Sequence, residues 1–297
     1  MLALRQAALA AARLAAAHPA VRTELLVIRT QGDVDTETPL PEIGGKGAFT
    51  ERLEQALRDG GIDLAVHSLK DLPIEPSNGL RVGAIFGRED ARDVLVSRNG
   101  ATLAGLPPGA AVGTSSTRRA AQLRAARPDL DIRPIRGNVE TRIAKVDAGI
   151  CEATVLAAAG ILRLGLAARI SEYLAPETFL PAPGQGALAV QCREDDDEVR
   201  GLLAPIDDPL LRAATDAERA FLRGLGGGCS MPVAALAEAD GTQALVLRGF
   251  VGAANGTRAI RVRAGAALAD AQALGERLAQ EALGKGAAAL LAESESP

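Results

Sequence analysis

Aromatic side chains are scarce in this sequence: five Phe, one Tyr and no Trp among 297 residues. Such a chain has little from which to build a stacking platform for single-stranded nucleic acid. Histidine is scarcer still, and His18 and His67 are too few and too far apart for a histidine-rich metal site, so no metal is expected. The three cysteines, Cys151, Cys192 and Cys229, are odd in number and lack CxxC spacing. A disulfide framework and a zinc knuckle are both excluded on that ground. No apolar run reaches the roughly 18 residues of a membrane span. The Ala-rich stretch 2–17 is interrupted by Arg5 and Arg13, where an export signal would be unbroken. With a formal charge of −4, neither nucleic acid nor an acidic membrane is an expected partner. A cytoplasmic setting is the expectation.

What is present is a chain 47% hydrophobic and 24% charged, enough for a sizeable core. Helical and extended patterns alternate through the first two thirds. Residues 2–17 read as a helix and 24–29 (ELLVIR) as a short buried strand. Phe49, Leu53 and Leu57 recur at helical spacing and stop at Gly60-Gly61. Apolar 62–66 leads into His67-Ser-Leu-Lys-Asp-Leu-Pro73. Strands at 110–113 and 153–157, extended 131–135, and helices over 117–127 and 139–145 complete a βαβ rhythm, which implies parallel sheets covered by helices. The last third differs: 244–251 and 258–263 read as a hairpin around Asn255-Gly256, followed by a helix over 269–283. Pro205-Ile-Asp-Asp-Pro209 reads as the linker.

Charge gathers in one window. Residues 117–145 hold eight basic and three acidic side chains, a balance of +5 that leaves −9 for the rest. Arg118 and Arg119 open a helix just after Thr114, Ser115 and Ser116. Cations at a helix N-terminus oppose the macrodipole unless an anion is held there. The window reads either as a solvated basic face or as a pocket for carboxylates or phosphates. Lys70 is one of only four lysines against 29 arginines, and it stands beside Asp71 at a strand's C-terminal end. That pair reads as a local ion pair, or as an anion-binding lysine with a carboxylate facing developing positive charge. Gly226-Gly-Gly-Cys229 permits a loop that presents a thiol, although a buried filler is the commoner role of cysteine and the one expected for Cys151 and Cys192.

Seven segments in order make the chain resemble the porphobilinogen deaminase (hydroxymethylbilane synthase) family. They are Gly44-Gly-Lys-Gly47, Ala65-Val-His-Ser-Leu-Lys-Asp-Leu-Pro73, Arg88-Glu-Asp-Ala-Arg-Asp93, Gly113-Thr-Ser-Ser-Thr-Arg-Arg119, Ile135-Arg-Gly-Asn-Val139, Leu180-Pro-Ala-Pro-Gly-Gln-Gly-Ala187 and Gly227-Gly-Cys-Ser-Met-Pro232. The resemblance implies an α/β fold of two doubly wound lobes like those of periplasmic binding proteins, plus a small α+β C-terminal domain. The expected domains are 1–87 with 186–204, then 92–181, then 209–297. The implied activity joins four porphobilinogen units head to tail, with loss of ammonia, into hydroxymethylbilane for porphyrin and haem biosynthesis. A covalent dipyrromethane cofactor is implied on Cys229 through a thioether. Asp71 takes the catalytic role, facing the azafulvene cation left by departing ammonia. Arg118, Arg119, Arg136, Arg142 and Arg163 match the carboxylate-binding arginines, and Ser68, Lys70, Thr114, Ser115 and Ser116 the polar contacts. Lys46 and Phe49 match a segment covering the cleft. The family further implies a monomer.

One departure accompanies the match. Family members begin with a strand running into Thr-Arg-x-Ser-x-Leu-Ala, whereas this sequence opens in the helix that should follow, and Arg5 lies within it. A late start codon or a truncation is implied, with a first lobe short of one strand. The alternatives are an enzyme inactive for that reason and a non-catalytic two-lobe protein that binds a polycarboxylate.

Overall fold

The computed structural model describes residues 1–28, 50–228, 231–241 and 243–295. The chain divides into two compact units: 1–88 with 186–212, and 89–185 with 213–297.

In the first unit, α1 (Leu2–Ala17) buries Gln6, Ala10 and Leu14, one side chain per turn, and exposes the face between them. Then α2 (Glu51–Arg58) buries Glu54 and Leu57. Its sheet has three described strands, β1 (Ala65–Ser68), β2 (Leu80–Phe86) and β8 (Leu188–Arg193), in the order β1-β8-β2. The central β8 is antiparallel to both neighbours. It returns after the long excursion through the second unit, so the crossover rule for local βαβ connections does not fix its direction. Ala10, Leu14, Phe86, Val190 and Leu203 share one core cluster, to which α6 (Asp197–Leu203) contributes. Of the stretch 24–29, expected as a buried strand, the described residues 24–28 pair with no described strand, and Leu25, Leu26 and Val27 are 50%, 63% and 66% exposed. Apolar content marks strand propensity, but only a ladder partner makes a strand.

The second unit holds two sheets. The first contains β3 (Asp93–Ser97), β4 (Ala111–Gly113), β5 (Asp131–Arg133), β6 (Ala153–Ala157) and β7 (Glu172–Tyr173), in the order β5-β4-β6-β3-β7. Here β4 is parallel to β5 and β6, while β3 runs antiparallel to β6 and β7. The expected βαβ rhythm is therefore present around α3 (Thr117–Ala126) and α4 (Val139–Asp147), within a mixed sheet. Short α5 (Ala158–Arg163) follows β6.

The second sheet is an antiparallel meander of β9 (Val233–Ala239), β10 (Ala244–Gly252) and β11 (Ala259–Ala267). The hairpin register pairs Gly252 with Ala259, and Gly256 supplies the positive φ of +76° that the turn requires. Helices α7 (Pro209–Gly224), α8 (Ala271–Gly284) and α9 (Ala287–Glu295) cover it. Phe221, Leu245, Leu247, Leu274 and Leu278 form its core. The approach of α8 to α7 depends on Gly275, where an added Cβ would lie 2.3 Å from the Ala217 carbonyl oxygen and 2.8 Å from the Phe221 nitrogen. Backbone cannot rotate away as a side chain can, so Gly275→Ala is expected to cost about 1–3 kcal/mol. Thermal unfolding should show the corresponding fall in midpoint.

Candidate functional site

In the first unit the chain leaves β1 through a single 3-10 turn, Leu69–Asp71. Leu69 and Leu72 are buried and pack with Ile85, Ala187, Ala189 and Leu211. The Leu69 N–H donates to the Ala187 carbonyl at 3.0 Å. Between these anchors Lys70 is half-buried and Asp71 exposed. The Asp71 carboxylate has no hydrogen bond or ion pair among the described residues. Ser68 is held from α1, its Oγ accepting from Gln6 Nε2 at 2.8 Å. The turn is thus fixed by apolar contacts while its carboxylate stays open to a ligand.

In the second unit the hydroxyl run follows β4. The buried Thr114 donates its N–H to the Arg133 carbonyl at 2.8 Å, and its Oγ1 accepts from the Ser116 N–H at 3.2 Å. Ser115 Oγ donates to the Ile135 carbonyl at 2.7 Å and accepts from the Ile135 N–H. Ser116 caps α3, its Oγ accepting from the Arg119 N–H at 3.4 Å. Asn138 caps α4 in the same way through the Thr141 N–H at 2.8 Å. The turn before α4 uses Gly137 at φ +108°, where a Cβ would meet Thr141 Cγ2 at 2.6 Å. That turn sets Arg136 and Arg142 on either side of it. Arg142 Nε donates to the Gly137 carbonyl at 2.7 Å.

Arg118 and Arg119 both point inward, to a side chain given no role from the sequence. Asp93 is wholly buried. Its Oδ2 lies 2.6 Å from Arg118 Nη1, and its Oδ1 lies 2.7 Å from Arg119 Nη2 and 3.1 Å from Gln185 Nε2. Arg118 Nη1 also donates to the Leu180 carbonyl and Arg119 Nη1 to that of Val155. Burial, the largest influence on Asp93, pushes its carboxyl up, and the two guanidiniums overcome it and hold the group well below the usual carboxylate range. The anion that sequence reasoning required at this helix start is therefore supplied first by the protein itself. Its signal was visible at the end of Arg88-Glu-Asp-Ala-Arg-Asp93, but nothing in the sequence showed that this acid faces these arginines.

The donor set suits a dipyrromethane, whose rings carry acetate and propionate groups. Arg118 Nε and Nη2 make no hydrogen bond among the described residues, so the guanidinium keeps donors for a carboxylate in fork geometry. Arg163 is half-buried, and burial lowers its proton affinity, with Glu89 acting the other way. Cys229, Lys46 and Phe49 lie outside the described residues. Cys151 and Cys192 are buried, and burial pushes both thiols up, as fits fillers. Among the described residues no group of three or more His, Cys, Asp or Glu side chains is placed to hold a metal ion.

Residues 1–201 match the profile of the porphobilinogen deaminase dipyrromethane cofactor binding domain, and 213–284 that of the porphobilinogen deaminase C-terminal domain. The chain belongs to the porphobilinogen deaminase family. Porphobilinogen deaminase from Roseiflexus castenholzii is 50% identical over 279 residues, covering 94% of this chain and 91% of the relative. That from Syntrophobacter fumaroxidans is 47% identical over 99% of this chain and 94% of its own. Among solved structures, the extracellular-binding protein YtmK of a probable amino-acid ABC transporter from Bacillus subtilis shares 12% identity. That match covers 68% of this chain and 79% of that one, at a TM-score of 0.41. The porphobilinogen deaminase profiles fall on both units, and the first spans the segments that hold Asp71 and the arginines.

Proposed function

We propose that the chain is a transferase that condenses four porphobilinogen units head to tail, releasing ammonia at each step, to give hydroxymethylbilane for tetrapyrrole biosynthesis. The observation that carries the chemistry is the Asp71 carboxylate, exposed and without a hydrogen-bond partner among the described residues, on a turn whose flanking leucines are buried. Departure of ammonia takes the C–N electron pair and leaves positive charge on the substrate's methylene carbon and pyrrole ring. A fixed carboxylate beside that charge favours the transition state over the bound substrate. The same carboxylate is the base for the proton displaced as the new carbon–carbon bond forms. Lys70 and Ser68 orient the substrate. Arg118, Arg119, Arg136, Arg142 and Arg163, with Thr114, Ser115 and Ser116, hold acetate and propionate groups. Lys46 and Phe49 cover the bound chain.

When bound, the dipyrromethane supplies the pyrrole carbon to which the first substrate unit is joined, and Cys229 is proposed to carry it as a thioether. A polycarboxylate-binding protein without catalysis is not favoured, because relatives covering nearly all of the chain bear the name of the enzyme. No helix among the described residues is long and apolar enough to cross a membrane, and a cytoplasmic monomer is proposed. Intact-protein mass spectrometry tests the reading. The purified protein should carry an added mass equal to two linked pyrroles, and Cys229→Ser should lack it. An unmodified, folded full-length protein overturns it.

A further inference from the structure

One buried titratable side chain next to the catalytic turn has no part in the chemistry above. His67 is the third residue of β1, 7% exposed, and immediately precedes Ser68. In the β1–β8 register His67 faces Ala189 and Ala65 faces Gln191, so the His67 and Gln191 side chains are diagonal neighbours on one face of the sheet. Gln191 is 4% exposed, and its Nε2 donates to Glu54 Oε1 at 3.3 Å. Glu54, on α2 and also buried, accepts at Oε1 from Ser77 Oγ at 2.7 Å and pairs at Oε2 with Arg58 at 3.3 Å.

This chain of polar groups stops short of the ring. His67 Nε2 and Gln191 Oε1 are both buried, and neither completes a hydrogen bond among the described residues. Buried polar atoms of this kind are costly, and each calls for an explanation. The charged groups acting on the ring are Glu54 from α2 and Asp71 from the turn. Both favour the charged ring, as does the Gln191 amide from β8, and the α1 side chain hydrogen-bonded to β1 among the described residues, Gln6 to Ser68, is uncharged. Burial outweighs them all and keeps the ring's proton affinity below its ordinary value of 6.5.

We infer that His67 is a positioning residue for the charge at Asp71: uncharged at neutral pH, its ring leaves the carboxylate's field undiminished, and a proton gained on the ring opposes the cation that forms as ammonia leaves. The ring takes that proton from solvent as pH falls. Positive charge near a carboxylate that must stabilise positive charge weakens that stabilisation and raises the barrier. The unclosed contact with Gln191 fits this role, because a strong acceptor at Nε2 would favour the charged ring at neutral pH. The inference rests on the role proposed for Asp71.

The holoenzyme tests it with kcat measured from pH 5.5 to pH 8.5 and histidine Cε1–H NMR over the same range. With only two histidines in the chain, His67→Asn identifies the His67 signal by removing it. The ring should titrate below 6.5, with turnover falling at the same midpoint. In His67→Asn that acid limb should be absent, so the ratio of kcat at the wild-type ring's midpoint to kcat at pH 8 should rise about twofold, because half of the wild-type rings carry the proton at that pH. Glu54→Gln, which removes an anion favouring the charged ring, should move the NMR midpoint and the acid limb to lower pH together. A side chain needed only for packing would scale both rates alike. An unchanged ratio in folded His67→Asn overturns the inference, as does a Glu54→Gln midpoint that moves without the limb. Absence of turnover at pH 8 in the wild type refutes the proposed reaction instead.

Discussion

Asp71→Ala is expected to lower kcat by about 10²–10³ or more, while leaving the fold and the bound dipyrromethane in place. The magnitude follows from removing a preorganised charge aimed at charge that appears only in the transition state. Selectivity for kcat follows from the same point, since a group that interacts more strongly with the transition state than with the substrate acts on turnover rather than on KM. Stability should move little. The side chain is exposed and makes no hydrogen bond among the described residues, and the turn beneath it is held by Leu69, Leu72 and the Leu69–Ala187 hydrogen bond. Single-turnover assays should show substrate bound and not joined. Asp71→Glu, which keeps the charge and displaces it by a methylene, should lie between. Normal elongation by Asp71→Ala would remove the carboxylate from the mechanism.

Much of this arrangement was legible in the residues. Helix α1 was marked by its Ala-rich run, β6 by a short run of small, β-branched and aliphatic residues, and the β10–β11 hairpin by Asn255-Gly256, each a local signal read from a local pattern. The polar run after β1 and the hydroxyl–arginine run after β4 stood out because each places polar and charged residues where a strand ends. Partners distant in sequence were not legible. Asp93 meets Arg118 and Arg119 across 25 and 26 residues, and His67 approaches Gln191 on a strand more than a hundred residues later in the sequence. The antiparallel direction of β8 was hidden for the same reason. Stretch 24–28 shows the opposite error, since its composition suits a strand and no described strand pairs with it.

Asp93→Asn is expected to destabilise the protein by about 3–5 kcal/mol, the usual cost of leaving buried charge uncompensated. Two guanidiniums, 5% and 6% exposed, share this one carboxylate, and an amide can accept a hydrogen bond from them but cannot balance their charge. The loss should depend on pH in a defined direction. The carboxyl is held below its unfolded value of about 3.8, so its contribution is complete above that value and disappears as pH falls through the folded-state value. Urea titrations at pH 7 should therefore separate wild type from Asp93→Asn by the full amount, and the gap should close in strong acid. A gap that is small at pH 7, or does not close in acid, would mean that the carboxylate does not balance the arginines. Replacing all three charges together, as Asp93→Leu with Arg118→Met and Arg119→Met, should restore much of the stability, because apolar substitutes often replace a buried ionic cluster without loss. Turnover should not return with it. Recovery of the fold without activity would divide the two roles of this cluster: Asp93 keeps the arginines folded in place, and the donors left on Arg118 are what a pyrrole carboxylate requires.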